Sequence, residues 1–325
     1  MKLILGSLWI FTGLLAIQPC SAQKLDPVYR SVEDSVTLAA VLQRLADIDQ
    51  KKSPADAATL DSLTTLQLKI MREGILRYRY SYFPTEHFTR YEDLKKGHVN
   101  PATVQYLSLH QFKGKHLPDE IFTCTQLKTL QLVDTKIQSL PSSLNNLPHL
   151  RQIEILNNRP KHRLKLSKNN RVNSLKIRGD QPNLLPKNYK HFQQLDTLDL
   201  SRNMLTRFPR IQKNKQLKEL MLNENQLTLE DLHINKRKPL SLERLYLARN
   251  KISRVPEAIG YFTNLEKLTF NYNQISEVTP ALSNLKKLQE LSFYTNRLQT
   301  VPKGIYSLTE LRYVDLYYND IRSID

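Results

Sequence analysis

The sequence predicts an α/β repeat solenoid: a curved parallel sheet with an irregular convex side, preceded by an N-terminal, mainly helical cap. Three observations carry this. The C-terminal two thirds repeats with a period near 23 residues, apolar residues alternate at the start of every unit, and the region before about residue 100 lacks the period. A unit of 20 to 30 residues cannot bury its own apolar face, so such units stack and share one core.

Units begin at Val104, Leu127, Leu150, Val172, Leu195, Leu217, Leu242, Leu265, Leu288 and Leu311, spaced 22 to 25 residues apart. Positions one, four and six, such as Leu195, Leu198 and Leu200, alternate as a strand with one buried face. Position nine is Asn at Asn158, Asn203, Asn225, Asn250, Asn273, Asn296 and Asn319. There the chain leaves the strand, and a buried amide with both donor and acceptor satisfies backbone groups of adjacent turns. This ladder is read as structural. Proline at position fifteen (Pro118, Pro141, Pro186, Pro209, Pro256, Pro302) suits a return path that need not donate to a sheet.

The unit Leu242-Glu-Arg-Leu245-Tyr-Leu247-Ala-Arg-Asn250-Lys-Ile252-Ser-Arg-Val255-Pro256-Glu-Ala-Ile259-Gly-Tyr-Phe262 resembles the leucine-rich-repeat family in its 23-residue form with LPxxI in the second half. The resemblance covers about 220 residues and implies a binding solenoid without catalysis. Departures from the pattern stand at Phe112 and Thr135, which replace Asn, and at Pro160 and Arg163, which replace apolar residues of the third return limb. The longest unit carries Asn235-Lys236-Arg237-Lys238-Pro239, read as a bulging loop. Cys124 sits at position twenty-one, where other units have Leu147, Phe192, Phe262, Leu285 and Leu308, and reads as a buried small hydrophobe.

Residues 1–22 read as a signal peptide. Lys2 is followed by an apolar stretch from Leu3 to Ile17, and Cys20-Ser21-Ala22 offers small residues for a cut before Gln23. An uncleaved anchor is disfavoured because the stretch is short of a membrane span. Lipid attachment at Cys20 is disfavoured by Pro19. After cleavage Cys124 is the sole cysteine, so no disulfide forms within the chain. This favours a bacterial exported protein: periplasmic, cell-surface or secreted. In residues 23–103, Leu38, Val41, Leu42, Leu45 and Ile48 recur at helical spacing, as do Leu60, Leu63, Leu66 and Ile70. Pro54-Ala-Asp56 offers a helix start, and Tyr78, Tyr80 and Tyr82 alternate as a strand. The region is read as a cap over the first repeat, with the repeat domain spanning 104–325.

No motif for chemistry is found. The eight histidines form no HExxH, one cysteine cannot build a paired-cysteine metal site, and no phosphate loop or nucleophile elbow occurs. The expectation is a protein that is not an enzyme and takes no cofactor and no metal.

Two surfaces are candidates for binding. Strand positions three, five, seven and eight face out of the concave sheet. Toward the C-terminus they carry Tyr246, Tyr272, Tyr294, Tyr313, Tyr317 and Tyr318, flanked by Arg244, Arg249 and Lys267. Tyrosine gives a large rigid contact with a polar tip, which suits a protein partner or, second, a glycan. The preference of aromatics for exposed strands explains the same residues without a ligand. The other surface follows from charge. Lys and Arg number 48 against 31 Asp and Glu, for +17, and residues 151–218 alone hold 17 against 4, for +13. Positions sixteen and nineteen of three consecutive units are Lys165, Lys187 and Arg210, and Lys168, Lys190 and Lys213. These two convex ladders suit an anionic polysaccharide or lipid headgroup, or are a solvated face. Nucleic acid is disfavoured because the stripe has no interleaved aromatics.

The last unit stops at Asp325, before the position that is proline elsewhere. An open edge of this kind is expected either to pair through that end or to mark a chain shorter than its ancestor. The function expected is non-catalytic recognition through the concave surface. The alternative is a structural envelope component docked by the convex face.

Overall fold

A computed structural model describes residues 23–29, 40, 41, 43, 62, 63, 65, 66, 75–82 and 88–322, the last without 180, 181, 188, 233 and 235–239. The signal segment, the Pro54-Ala-Asp56 start and the loop at 235–239 lie outside the described residues. The chain divides into two compact units, 1–86 and 87–325.

In the first unit, β1 (Gln23–Tyr29) and β2 (Ile75–Tyr82) pair antiparallel, with Gln23 opposite Tyr82 and a register shift between Val28 and Tyr29. The strand expected at Tyr78–Tyr82 is present and runs longer. Its partner has no alternation to announce it, with Pro27 in its middle. Ala40, Val41, Gln43, Ser62, Leu63, Thr65 and Leu66 are helical, and Val41 is buried. The rest of the expected helices lies outside the described residues.

The second unit opens with β3 (Thr89–Arg90) and a short helix α1 (Tyr91–Lys95). The repeat strands follow, one per unit: β4 (Tyr106–His110), β5 (Thr129–Val133), then, past the limb strand β6 (Ser139–Leu140), β7 (Gln152–Leu156). After the limb strand β8 (Lys165–Leu166) come β9 (Ser174–Arg178), β10 (Thr197–Asp199), β11 (Glu219–Met221) and β12 (Arg244–Tyr246). Between the limb strands β13 (Arg254–Val255) and β15 (Glu277–Val278) lies β14 (Lys267–Thr269). Repeat strands β16 (Glu290–Ser292) and β17 (Tyr313–Asp315) complete the series. The ten repeat strands and β3 form one eleven-stranded parallel sheet in chain order. All ten units expected from the sequence are there, in register: Leu198 lies opposite Leu220, Leu245 opposite Leu268, Leu291 opposite Val314.

The eleventh strand was not expected. β3 pairs parallel with β4, Thr89 opposite Leu107. The aromatic Tyr91 and Leu94 of α1 then enter the core that runs through every repeat. Phe112, standing where other repeats have Asn, meets the Tyr91 ring edge-on at 5.5 Å, and the Tyr91 hydroxyl donates to Glu120 Oε2 at 3.2 Å. Residues 88–103 thus close the end of the first repeat that would otherwise expose its apolar face.

The asparagine ladder does the work its position implies. Asn250 Nδ2 donates to the carbonyls of Leu222 and Leu247, each at 3.0 Å, while Asn273 Oδ1 accepts the backbone N–H groups of Asn250 and Ile252 at 3.1 Å. Each amide serves its own turn and the preceding one, so the repeats cannot be separated without leaving buried backbone groups unpaired. Thr135 extends the ladder with a hydroxyl donated to Asn158 Oδ1 at 2.8 Å. On the return limbs, prolines 118, 141, 256 and 302 each precede a 3-10 turn. The third limb regains order at β8, which pairs with β6, and Arg163 donates to the Leu185 carbonyl at 2.7 Å. Cys124 is fully buried, and burial raises its thiol pKa.

Candidate binding surface

Position eight decides how the strand face is presented. In nine of the ten repeats its residue is left-handed, with φ between 50° and 63° from Gln111 to Tyr318; the tenth is Gly179. A non-glycine residue there costs about 1 kcal/mol. The conformation turns the N–H toward the next repeat: Tyr272 N–H reaches the Tyr294 carbonyl at 2.9 Å, and Arg249 N–H the Asn271 carbonyl at 2.8 Å. Each turn is therefore held by a bond made only when the repeats stack.

The same geometry gathers side chains of positions seven and eight. The Tyr272 and Tyr294 rings meet edge-on at 5.3 Å, Tyr294 and Tyr318 at 5.4 Å, and Tyr317 and Tyr318 at 4.3 Å; Tyr294 and Tyr317 stack at 6.3 Å. Arg249 covers the other end, its guanidinium carbon 4.2 Å from the Tyr272 centroid. Tyr317 is 56% exposed while Tyr294 is half-buried beneath it. Burial, with the neighbouring Tyr272 and Tyr318 hydroxyls, raises the Tyr294 pKa; burial and Tyr317 raise that of Tyr318.

Four of the six tyrosines and Arg249 form this cluster; the others stand apart. Tyr246 is half-buried, and burial with the Glu219 carboxylate pushes its pKa up to about 12. Tyr313, 54% exposed, donates to Asp315 Oδ2 at 3.4 Å. Arg244 lies 3.5 Å from both Glu219 and Glu243, and Lys267 is paired with Glu290. Arg244, Lys267 and Tyr313 belong to position three, where Glu219, Arg244, Lys267, Glu290 and Tyr313 follow one another across adjacent strands. Position three is four residues from position seven, roughly 13 Å along a strand, too far to flank the rings.

Cross-repeat ion pairs continue toward the N-terminus. Arg178 meets Asp199 at 2.6 Å, Arg202 meets Glu224 at 2.5 Å and Lys176 meets Glu154 at 3.6 Å. Burial opposes ionisation of Asp199, but Arg178, Lys176 and the Ser201 hydrogen bonds outweigh it and hold its pKa below the usual carboxylate value. The six convex residues Lys165, Lys168, Lys187, Lys190, Arg210 and Lys213 are all exposed on the return limbs.

Residues 263–321, which span the eighth and ninth units and most of the tenth, match the family model for the leucine rich repeat. This stretch of the chain is built of leucine-rich repeats. Among curated proteins nothing matches it. Among solved structures, this chain is similar to the Toll–Spatzle complex of Drosophila at 22% identity and a TM-score of 0.48, over 69% of this chain and 32% of that one. It is similar to a leucine-rich-repeat protein of Leptospira interrogans at 20% identity and a TM-score of 0.34, over 73% and 99%. An internalin of Listeria monocytogenes gives 22% identity and a TM-score of 0.41, over 68% and 70%. The chain thus spans about a third of the chain it matches in that complex.

Proposed function

We propose that this protein is a non-catalytic binding solenoid that recognises a protein partner through its strand face, in the bacterial envelope or outside the cell. The contact is centred on Tyr272, Tyr294, Tyr317, Tyr318 and Arg249. The single observation behind this is that rings from three successive repeats meet as one surface with an arginine at its margin. Rigid aromatics and arginine are the residues that dominate binding energy at protein interfaces. Residues 1–22 direct export, residues 23–103 cap the repeats, and residues 104–325 bind. A glycan is the second ligand class for the same face.

The test is capture of a partner on immobilised protein at low and at high salt. Y294A/Y317A/Y318A removes three of the four clustered rings; complete loss of a saturable, salt-tolerant partner in that variant supports the proposal. Equal capture by wild type and variant contradicts it.

A second reading is a structural envelope component docked by the limb side to an anionic polymer or lipid. It is favoured by the exposure of all six ladder residues. Self-association through the last repeat is a further proposal. A shift from monomer to dimer with concentration in sedimentation supports it, and concentration-independent monomer contradicts it.

A further inference from the structure

The charge of repeats three to six is not spread evenly. On the strand face the cations are matched: Lys176, Arg178 and Arg202 each meet a carboxylate. At the rim where return limbs turn back into strands, they are not. A groove of about 560 Å³ runs there across four repeats, lined by Arg151, Arg171, Lys215 and Lys218 against the one carboxylate Asp196. Lys218 meets Glu243 at 3.1 Å. Among the described residues no carboxylate lies within ion-pair distance of Arg151, Arg171 or Lys215.

The groove is built from repeating parts. Arg151, Asn173, Asp196 and Lys218 occupy position two of successive units, tied in series as each N–H donates to the preceding residue's carbonyl at 2.8 to 2.9 Å. Three steps between adjacent strands give the floor a length of roughly 14 Å. Arg151 is fixed in place, its Nη1 donating to the carbonyls of Pro148 and Leu150, both at 2.9 Å. Those bonds hold its guanidinium without neutralising its charge. The turn carrying Arg171 is capped by the buried Asn169, whose Oδ1 accepts the N–H groups of Arg171 and Val172 at 2.9 and 2.8 Å. The remaining lining is amide and hydroxyl: Asn170, Asn173, Gln194, Gln216 and Ser241.

We infer that this rim groove binds a linear acidic glycan, its sulfate or carboxylate groups on Arg151, Arg171 and Lys215 and its hydroxyls on the amides. A bilayer presents a flat array of headgroups, which the exposed limb side fits better than a groove does. A nucleic-acid strand is held by stacking on aromatic rings, and none lines the groove. The site is separate from the tyrosine cluster, so it stands or falls independently of the strand-face reading.

The test is titration of the full chain with a labelled heparin oligosaccharide, with neutral dextran and phosphatidylcholine–phosphatidylglycerol vesicles as the other arms. Saturable heparin binding that weakens with added salt is expected. R171E/K215E weakens it by about tenfold or more, while R297E/K303E, with the same change in charge on exposed residues of the ninth repeat, changes it by less than about twofold. Circular dichroism verifies that both variants fold. Equal losses in the two variants, loss in K187E/K190E with R171E/K215E unaffected, preference for vesicles, or no heparin binding would each overturn the inference.

Discussion

The Arg249 guanidinium lies over the Tyr272 ring at 4.2 Å from its centroid, and both residues occupy position eight of adjacent repeats. One backbone conformation, repeated, therefore places a cation and a ring in contact across 23 residues of sequence. R249A is expected to lower stability by about 1 kcal/mol through loss of this contact. R249G loses the same contact but relieves the left-handed strain at φ 56°, so it is expected to be no less stable than R249A. Denaturant midpoints of the two variants measure this; a glycine variant clearly below the alanine one refutes the role given to strain.

Asn273 serves five backbone groups: it donates to the Leu247, Phe270 and Asn271 carbonyls at 2.9, 2.8 and 3.3 Å and accepts from Asn250 and Ile252. N273A leaves the Asn250 and Ile252 N–H groups buried without partners, while the Leu247 and Phe270 carbonyls keep the amides of Asn250 and Asn296; the expected cost is about 3 kcal/mol. Asn319 makes the same kind of bonds at the half-buried last rung, to Phe293 and Leu316, where water replaces the lost amide. N319A is expected to cost less than half as much, measured by hydrogen exchange repeat by repeat, since repeat arrays need not unfold in one step.

Asp199 gives the acid limb of stability. Its folded pKa is lowered, burial being outweighed by Arg178, Lys176 and Ser201. The stabilisation is present in full above the unfolded carboxylate value and is lost as pH falls through the lower folded one. D199N is expected to flatten that acid dependence and, by leaving Arg178 half-buried without its anion, to cost about 3 kcal/mol at neutral pH. A parallel acid profile for wild type and variant in thermal unfolding counts against it.

Gly260 lies where two return limbs touch. A Cβ there meets the Ala281 carbonyl oxygen at 2.6 Å, while at Gly304 the nearest atom is 3.1 Å away. G260A is expected to destabilise by about 1 to 3 kcal/mol and G304A by less. Thermal unfolding of the pair ranks them, and the reverse order contradicts the packing described.

The ten repeats were legible because stacking imposes the same constraint on every unit, so apolar, Asn and Pro positions recur together. β3 was not: two residues, Thr89 and Arg90, carry no alternation, and only their place beside β4 makes them a strand. The limb strands β6, β8, β13 and β15, two residues each, are hidden for the same reason. At the site, phasing identified every tyrosine of the cluster but treated positions three, five, seven and eight as one even grid. The left-handed turn at position eight breaks that grid. It joins Tyr272 and Tyr318 to Tyr294 and Tyr317, and leaves Tyr246 beside Glu219 and Tyr313 beside Asp315. The rim groove was invisible because it unites position two with the end of the preceding limb, residues far apart in phase that meet only where one turn closes on the next.

The most direct test of the central claim is site-specific photocrosslinking in the source cells, with a photoreactive phenylalanine in place of Tyr317 and, separately, of Tyr306. Both side chains are exposed, at 56% and 60%, but Tyr306 lies in the 3-10 turn Lys303–Ser307 of a return limb. A discrete protein adduct from position 317 and none from position 306 is the predicted result. Adducts from 306 alone, or equally from both, would contradict recognition through the strand face.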